Sequence, residues 1–119
     1  MHGPINLAEK FALFQEHWKP RIVGEVNDFH VKLVKVLGTF QWHQHAGEDE
    51  FFLVTEGRLT IRLRDREVHL EKGEFFVVPR GVEHMPVAEA EAWILLLERK
   101  TAVNTGGSGG ARTVDPEWL

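Results

Sequence analysis

The chain has 119 residues, 43% of them hydrophobic and 27% charged, with a formal net charge of −4, which is the length of one domain with enough apolar material for a core. Arg and Lys are scattered and the balance is acidic, so nucleic-acid binding has no electrostatic footing and no such partner is expected. The absence of cysteine excludes disulfides, thiolate metal ligands and cysteine nucleophiles.

The start, Met1-His2-Gly3-Pro4, lacks the basic-then-apolar pattern of a secretory signal, so a soluble cytoplasmic protein is the expectation. The first element predicted is a helix over residues 6–17. Asn6 can cap it, and Glu9 three residues on approximates a capping box. Leu7, Phe11 and Phe14 recur on one stripe, and Pro20 ends the pattern. From Arg21 the chain reads as strands, at 21–26, 30–37, 39–45, 50–55, 58–64, 67–71, 75–78, 84–88 and 92–99. Turn signals separate them at Asn27-Asp28, Gly38, Ala46-Gly47, Glu56-Gly57, Lys72-Gly73 and Arg80-Gly81. Many short strands with regular punctuation point to an all-β barrel or sandwich.

One hairpin has a testable register. A turn at Asp65-Arg66 pairs Arg64 with Glu67, Leu63 with Val68, Arg62 with His69 and Ile61 with Leu70, and sorts apolar from polar pairs by face. The core expected from alternation is Leu59, Ile61, Leu63, Val68, Leu70, Val77, Ile94 and Leu96. The longest apolar run, Ala92 to Leu97, is too short to span a bilayer, so no membrane partner is expected. Beyond residue 104, Thr105-Gly106-Gly107-Ser108-Gly109-Gly110 reads as a flexible loop, with Trp118 and Leu119 either docking back or left free.

Chemistry concentrates at His43, His45, Glu50 and His84. In a strand, residues two apart share a face, so Trp42-His43-Gln44-His45 sets two imidazoles side by side. Glu50 opens the next strand after a short turn. His84 follows the Pro79-Arg80-Gly81 turn. Three imidazoles and a carboxylate suit a divalent Mn, Fe, Co, Ni, Cu or Zn ion. His2, His17 and His30 lie outside this pattern, and His69, alternating with Val68 and Leu70, is expected to face solvent.

Gly38, His43, His45, Glu50 and Gly57 read as G-x(4)-H-x-H-x(4)-E-x(6)-G, and Gly73, Pro79, Gly81 and His84 as G-x(5)-P-x-G-x(2)-H. This resembles the two motifs of the cupin superfamily over about residues 30 to 100. It departs in a first gap of four residues where the family usually has five, and in Ala88 where Asn is frequent. The resemblance implies a cupin-type β-barrel (double-stranded β-helix or jelly roll) with a short N-terminal helix, as a single domain over 1–119. Residues 1–20 would form the arm, 21–100 the barrel and 101–119 the Gly-rich loop and tail. Phe40-x-Trp42-His43, Asp49-Glu50, His84-x-Pro86-x-Ala88 and Asn104-Thr105-Gly106 are similar to small single-domain cupins called mannose-6-phosphate-isomerase-like, a label of kinship rather than of activity.

By alternation Gln41 shares the face of His43 and His45, which makes it the candidate catalytic side chain, and Phe52 shares the face of Glu50. Lys35 is placed on the pocket or on the surface with equal weight. Glu48 and Asp49 belong to the turn, and no second inward carboxylate is visible to act as a general base. Two functions stay open. One is a small metalloenzyme acting on a polar organic substrate, by isomerisation or oxygen-dependent oxidation. The other is a non-catalytic metal-containing module binding a sugar or acid. Phe40, Trp42, Phe51 and Leu53 fall on the reverse face of the ligand strands, so a homodimer is expected to cover them.

Overall fold

A computed structural model describes residues 3–107, 109–110 and 113–119; Met1, His2 and Ser108, named above, lie outside these. Its elements are helix α1 (Leu7–Phe11) and strands β1 (Arg21–Val26), β2 (Phe29–Thr39), β3 (Glu50–Glu56), β4 (Arg58–Leu63), β5 (Glu67–Glu71), β6 (Phe75–Val78), β7 (His84–Arg99) and β8 (Glu117–Trp118). The strands form one mixed, open sheet in the order β5-β4-β7-β2-β1-β8, with β3 pairing both β6 and β7. No helix among the described residues is long and apolar enough to cross a membrane.

β7 is the spine. Its 16 residues pair with β4 at the beginning (Leu63 opposite His84) and with β3 later (Phe51 opposite Leu97), while β2 runs along its other edge. The stretches expected as separate strands at 84–88 and 92–99 are therefore one. β3 and β4 follow different halves of the same strand, so the sheet folds over and encloses a core. Val34, Val36, Phe52, Val54, Leu59, Ile61, Ile94 and Leu96 are buried there.

The expected strand at 39–45 does not form. Gly38 does not end β2; it is a bulge within it at φ +84°, a backbone region that glycine enters without steric cost. Beyond Thr39 the ladder fails. The Phe40 N–H donates to the Pro86 carbonyl at 3.0 Å, but proline has no N–H to return the bond. Pairing resumes only at the His43–His84 bridge.

The β4–β5 turn also differs from expectation. Arg62 lies opposite Glu67, Ile61 opposite Val68 and Thr60 opposite His69, so the turn centres on Arg64-Asp65 and every pair moves by two. A shift of two preserves the strand parity, so each side chain keeps its face. The gain is visible at both ends: Arg62 pairs with Glu67 at 3.4 Å, and Arg64 lies 3.7 Å over the Trp42 ring. Val77, expected in the core, is 39% exposed because Val78 takes the inward position on β6.

The helix is five residues long, not the span 6–17. Asn6 caps it as expected, its Oδ1 accepting from the Glu9 N–H at 2.9 Å. It stops because the chain must then serve two faces of β2. Phe11 and Phe14 pack on Val23 and Leu33 on the outer face. Trp18 instead bonds its N–H to the Lys35 carbonyl at 2.8 Å and enters the inner core at φ +61°, a conformation helix propagation forbids. At the other end of the chain Leu119 joins the outer cluster, and β8 runs parallel to β1.

Gly57 joins β3 to β4 at φ +82°, where an added Cβ would meet the Glu91 carbonyl oxygen at 2.9 Å; Gly38, at φ +84°, has open space. Gly57→Ala is expected to lose more than the 1–2 kcal/mol typical of a left-handed non-glycine residue, and Gly38→Ala about that amount. Urea unfolding of both variants checks the ranking; equal losses would show that the close approach at Gly57 relaxes freely.

Candidate metal centre

The four expected side chains converge. The ligand atoms of His43, His45, Glu50 and His84 lie within 4.8 Å of one another, and all four residues are buried. Glu50 opens β3 and His84 opens β7. The reciprocal backbone bonds between residues 43 and 84, at 3.0 and 2.8 Å, bring the His-x-His segment to them without a regular strand.

The hydrogen bonds orient the rings. His43 Nδ1 donates to the Gln41 carbonyl, and His84 Nδ1 to the Val82 carbonyl, each at 2.9 Å. A carbonyl can only accept, so both rings carry a proton on Nδ1, the usual backing of a metal-ligating imidazole, and His84 Nε2 lies 3.0 Å from Glu50 Oε1. His45 Nδ1 faces Glu48 at 3.4 Å, and its Nε2 lies 3.2 Å from Glu50 Oε1. That Nε2 is buried without a well-formed hydrogen bond. A buried ring nitrogen without a well-formed hydrogen bond, beside two other imidazoles and a carboxylate, fits a metal ion: the four side chains could hold one.

The electrostatics agree. Burial, reinforced by the neighbouring His84, depresses the His43 pKa to about 4, so its imidazole is neutral at physiological pH. Burial alone would also depress His45, but the adjacent Glu50, with Glu48, outweighs that and raises it. Burial works against the Glu50 carboxylate, yet the neighbouring His45, His84 and Glu98 hold its pKa well below the usual range. The site thus supplies an ionised carboxylate with imidazole donors, as a divalent cation requires.

A cavity of about 40 Å³ opens onto this cluster, room for roughly three waters. Trp18, Phe40 and Phe52 contribute aromatic walls; His43, Glu50, Glu98 and Asn104 supply polar groups. Phe52 lies where alternation puts it. Phe40 does not lie on the reverse face: it stacks on Trp18 with ring centroids 4.9 Å apart. Gln41 is half-buried, and its Nε2 donates to the Gly109 carbonyl at 2.8 Å. Lys35 is buried, but beneath the N-terminal arm, bonded to the Phe14 carbonyl at 2.8 Å. Asp49 accepts from the Arg80 N–H, a turn bond as expected. His69 is exposed, also as expected.

Contrary to the sequence reading, a second inward carboxylate exists. Glu98 is 1% exposed and lines the cavity. Burial, and then the charge of Glu50, push its pKa well above the ordinary value, with Lys32 partly opposing them. Alternation cannot reveal it, because Trp93 to Leu97 is apolar on both faces and Glu98-Arg99-Lys100 reads as a solvated strand end. The one available signal is parity with Ile94 and Leu96.

The Gly-rich loop packs against the His-x-His segment: a Cβ on Gly106 would collide with the Gln44 carbonyl. Thr105 is fully buried, its hydroxyl 2.6 Å from that of Thr113.

The chain is similar to known proteins to differing extents. A cupin-2 domain containing protein from Shewanella frigidimarina NCIMB 400 is 50% identical, with a TM-score of 0.80 covering 81% of this chain and 94% of that one. YdbB of Bacillus subtilis (strain 168) is 35% identical over 81 residues, 67% of this chain and 72% of its own. The 3-hydroxyanthranilate 3,4-dioxygenase 2 of Aspergillus fumigatus (strain CBS 144.89 / FGSC A1163 / CEA10) is 32% identical over 83 residues, 65% of this chain but only 43% of the enzyme. Residues 30–97 match the cupin domain family, and with both histidine motifs inside an all-β fold of that type, the chain belongs to the cupins.

Proposed function

We propose that the protein is a small metalloenzyme that oxidises a small organic substrate with dioxygen, its divalent transition metal held by His43, His45, Glu50 and His84. Four protein ligands leave positions free on a five- or six-coordinate ion, where the metal would act as Lewis acid or redox centre. The observation that carries this reading is a buried three-histidine, one-glutamate cluster, two of whose members, His43 and Glu50, line a mostly apolar cavity. Such walls exclude water and receive a mostly apolar molecule beside the metal. The similarity to a dioxygenase supports the same direction. His43 and His84 are fixed by their backbone bonds, and Trp18 and Phe40 give a compact substrate a flat wall. Gln41 acts at one remove, tying the loop at Gly109 to the His-x-His segment.

A second reading is metal-dependent isomerisation, in keeping with the mannose-6-phosphate-isomerase-like motifs. It is favoured by one observation, the Glu98 carboxyl beside Glu50, which gives proton shuttling a group it needs. A non-catalytic binding module would use the same cavity without turnover. Metal analysis of untagged protein, followed by oxygen-uptake screening of the metal-loaded form, separates the three. Bound metal with substrate-dependent oxygen consumption supports oxidation; metal without oxygen uptake favours isomerisation or binding; protein that takes up no divalent metal sinks the reading.

His43→Ala is expected to lower metal affinity by more than about 100-fold and folding stability by only about 1–2 kcal/mol. The inner core is apolar and independent of the metal, so chelator should leave the circular dichroism spectrum folded at room temperature. Chelator-induced unfolding would contradict this.

We also propose a homodimer. Trp42 is covered by Arg64 and Phe40 faces inward, but Phe51, Leu53, Phe75, Val77 and Leu97 share the outer face of β3, β6 and β7 through their pairings. Phe75 is 60% exposed and packs on Phe51 at 4.9 Å. The N-terminal arm covers the neighbouring stretch at Val31, Leu33, Trp93 and Leu95. A symmetric partner would bury more than about 1,000 Å². Light scattering at micromolar concentration should give twice the chain mass, and Phe75→Glu should halve it; a wild-type monomer would end the proposal.

A further inference from the structure

The cavity is smaller than the organic substrate proposed for it. An apolar cavity of roughly 150 Å³ takes a six-carbon ring; this one has about 40 Å³. An organic molecule therefore reaches the cluster only if a wall yields. Val34, Phe52, Leu59 and Ile94 are walls held in strand ladders. Trp18 lies between α1 and β1, outside both. The residues before it, 15–17, are exposed, so its backbone runs at the surface while its indole lines the cavity. That backbone sits at φ +61°, which is disfavoured for a bulky residue and persists only where contacts impose it. Those contacts include the N–H bond to the Lys35 carbonyl and the Nε1 bond to the Leu37 carbonyl, each 2.8 Å, and the stack on Phe40. Beside it, His17 Nε2 lies 2.7 Å from Glu91 Oε1 at the surface.

We propose that Trp18 is the specificity-determining residue of entry, a side chain that is closed in this structure and swings outward to admit an organic substrate. This rests on reading the cavity as the place of that substrate. An indole is larger than a six-carbon ring, so its departure frees the room such a molecule needs. Turning outward also relaxes the left-handed backbone. That relief offsets part of the lost stacking and hydrogen bonding and brings the two states close in energy. His17 with Glu91 is the clasp that holds the closed state, acting through the neighbouring Trp18 and not on the substrate. The molecule admitted has an apolar body and a polar end, because Val34, Phe40 and Phe52 line the chamber and its polar groups include His43 and Glu50.

The test labels the full chain with 5-fluorotryptophan and follows its four tryptophans by fluorine NMR, Trp18→Phe assigning the Trp18 line. The probe is cyclohexanol, which has an apolar body, one hydroxyl and no ring current to disturb the spectrum. In the free protein the Trp18 line should show the small solvent-isotope shift of a buried ring. Saturating cyclohexanol should give that line the larger isotope shift of the exposed Trp118, and leave the Trp42 and Trp93 lines in place. His17→Ala, an exposed change outside the cavity lining, should tighten cyclohexanol binding by about two- to five-fold, the worth of an exposed pair that favours the closed state. Cyclohexanol that binds while Trp18 stays buried would overturn the inference. Binding to Trp18→Ala but not to wild type would make the indole a fixed plug, with the same consequence, as would unchanged affinity in His17→Ala. The titration is run on metal-free and on zinc-loaded chain. A Trp18 that stays closed in zinc-loaded protein removes the door and leaves the metal reading standing; a chain that takes up no zinc but opens to cyclohexanol does the reverse.

Discussion

Glu50 carries a charge in a place that does not welcome one. It is 4% exposed, and an isolated carboxylate there would cost many kcal/mol. The interior accepts it because imidazoles converge: His84 Nε2 lies 3.0 Å and His45 Nε2 3.2 Å from the same oxygen. Those imidazoles are fixed in turn by bonds outside the cluster, His84 to the Val82 carbonyl and His45 to Glu48. The cluster and the junction between β3, β7 and the His-x-His segment stabilise each other. A divalent cation entering it would replace weak pairings with coordination and require little rearrangement of the backbone.

The same junction explains why the cavity lies where it does. β2 is covered on both faces. On one side the arm packs Phe11 and Phe14 onto Leu33 and buries Lys35. On the other, Val34 and Val36 face the cavity together with Trp18. The arm reaches both sides because Trp18 takes a left-handed backbone conformation, an outlier for a bulky residue that only surrounding contacts can hold. Its Nε1 donates to the Leu37 carbonyl at 2.8 Å, which fixes the ring as a wall of the cavity. An element that looks like peripheral cover in the sequence is thus part of the site.

The chemistry available differs from a metal centre in a plain apolar slot. Glu98 and Lys32 add a second pair of buried ionisable groups beside Glu50, and Asn104 brings the tail to the cavity, its Oδ1 accepting from the Val114 N–H at 3.1 Å. A fold this widely used does not choose a reaction. The choice among oxidation, isomerisation and binding therefore rests on these side chains and on any metal they hold, more than on the fold that carries them.

The sequence by itself determined the four candidate ligands, most of the strands and the inward faces of β3 and β4. Those features obey local rules: a period of two, a His-x-His pair on one face, and turn residues at Gly57 and Gly73. Even the β4–β5 turn, displaced by one residue, kept the correct faces, because parity survives a shift of two. Only the tertiary structure decided the rest. Local pattern could not show that Pro86 would interrupt pairing at residues 40–42, since the missing donor lies on another strand. It could not turn Phe40 inward, or draw Trp18 out of a helix and into the core, because both depend on what stands opposite. Nor could it find Glu98, hidden at the end of a run that is apolar on both faces. Its role is set by register, which places it across from Glu50, and by Lys32, a strand away. Which side chains share a face is written in spacing along one strand; which of them meet is decided by pairing between strands, an energy no single segment contains.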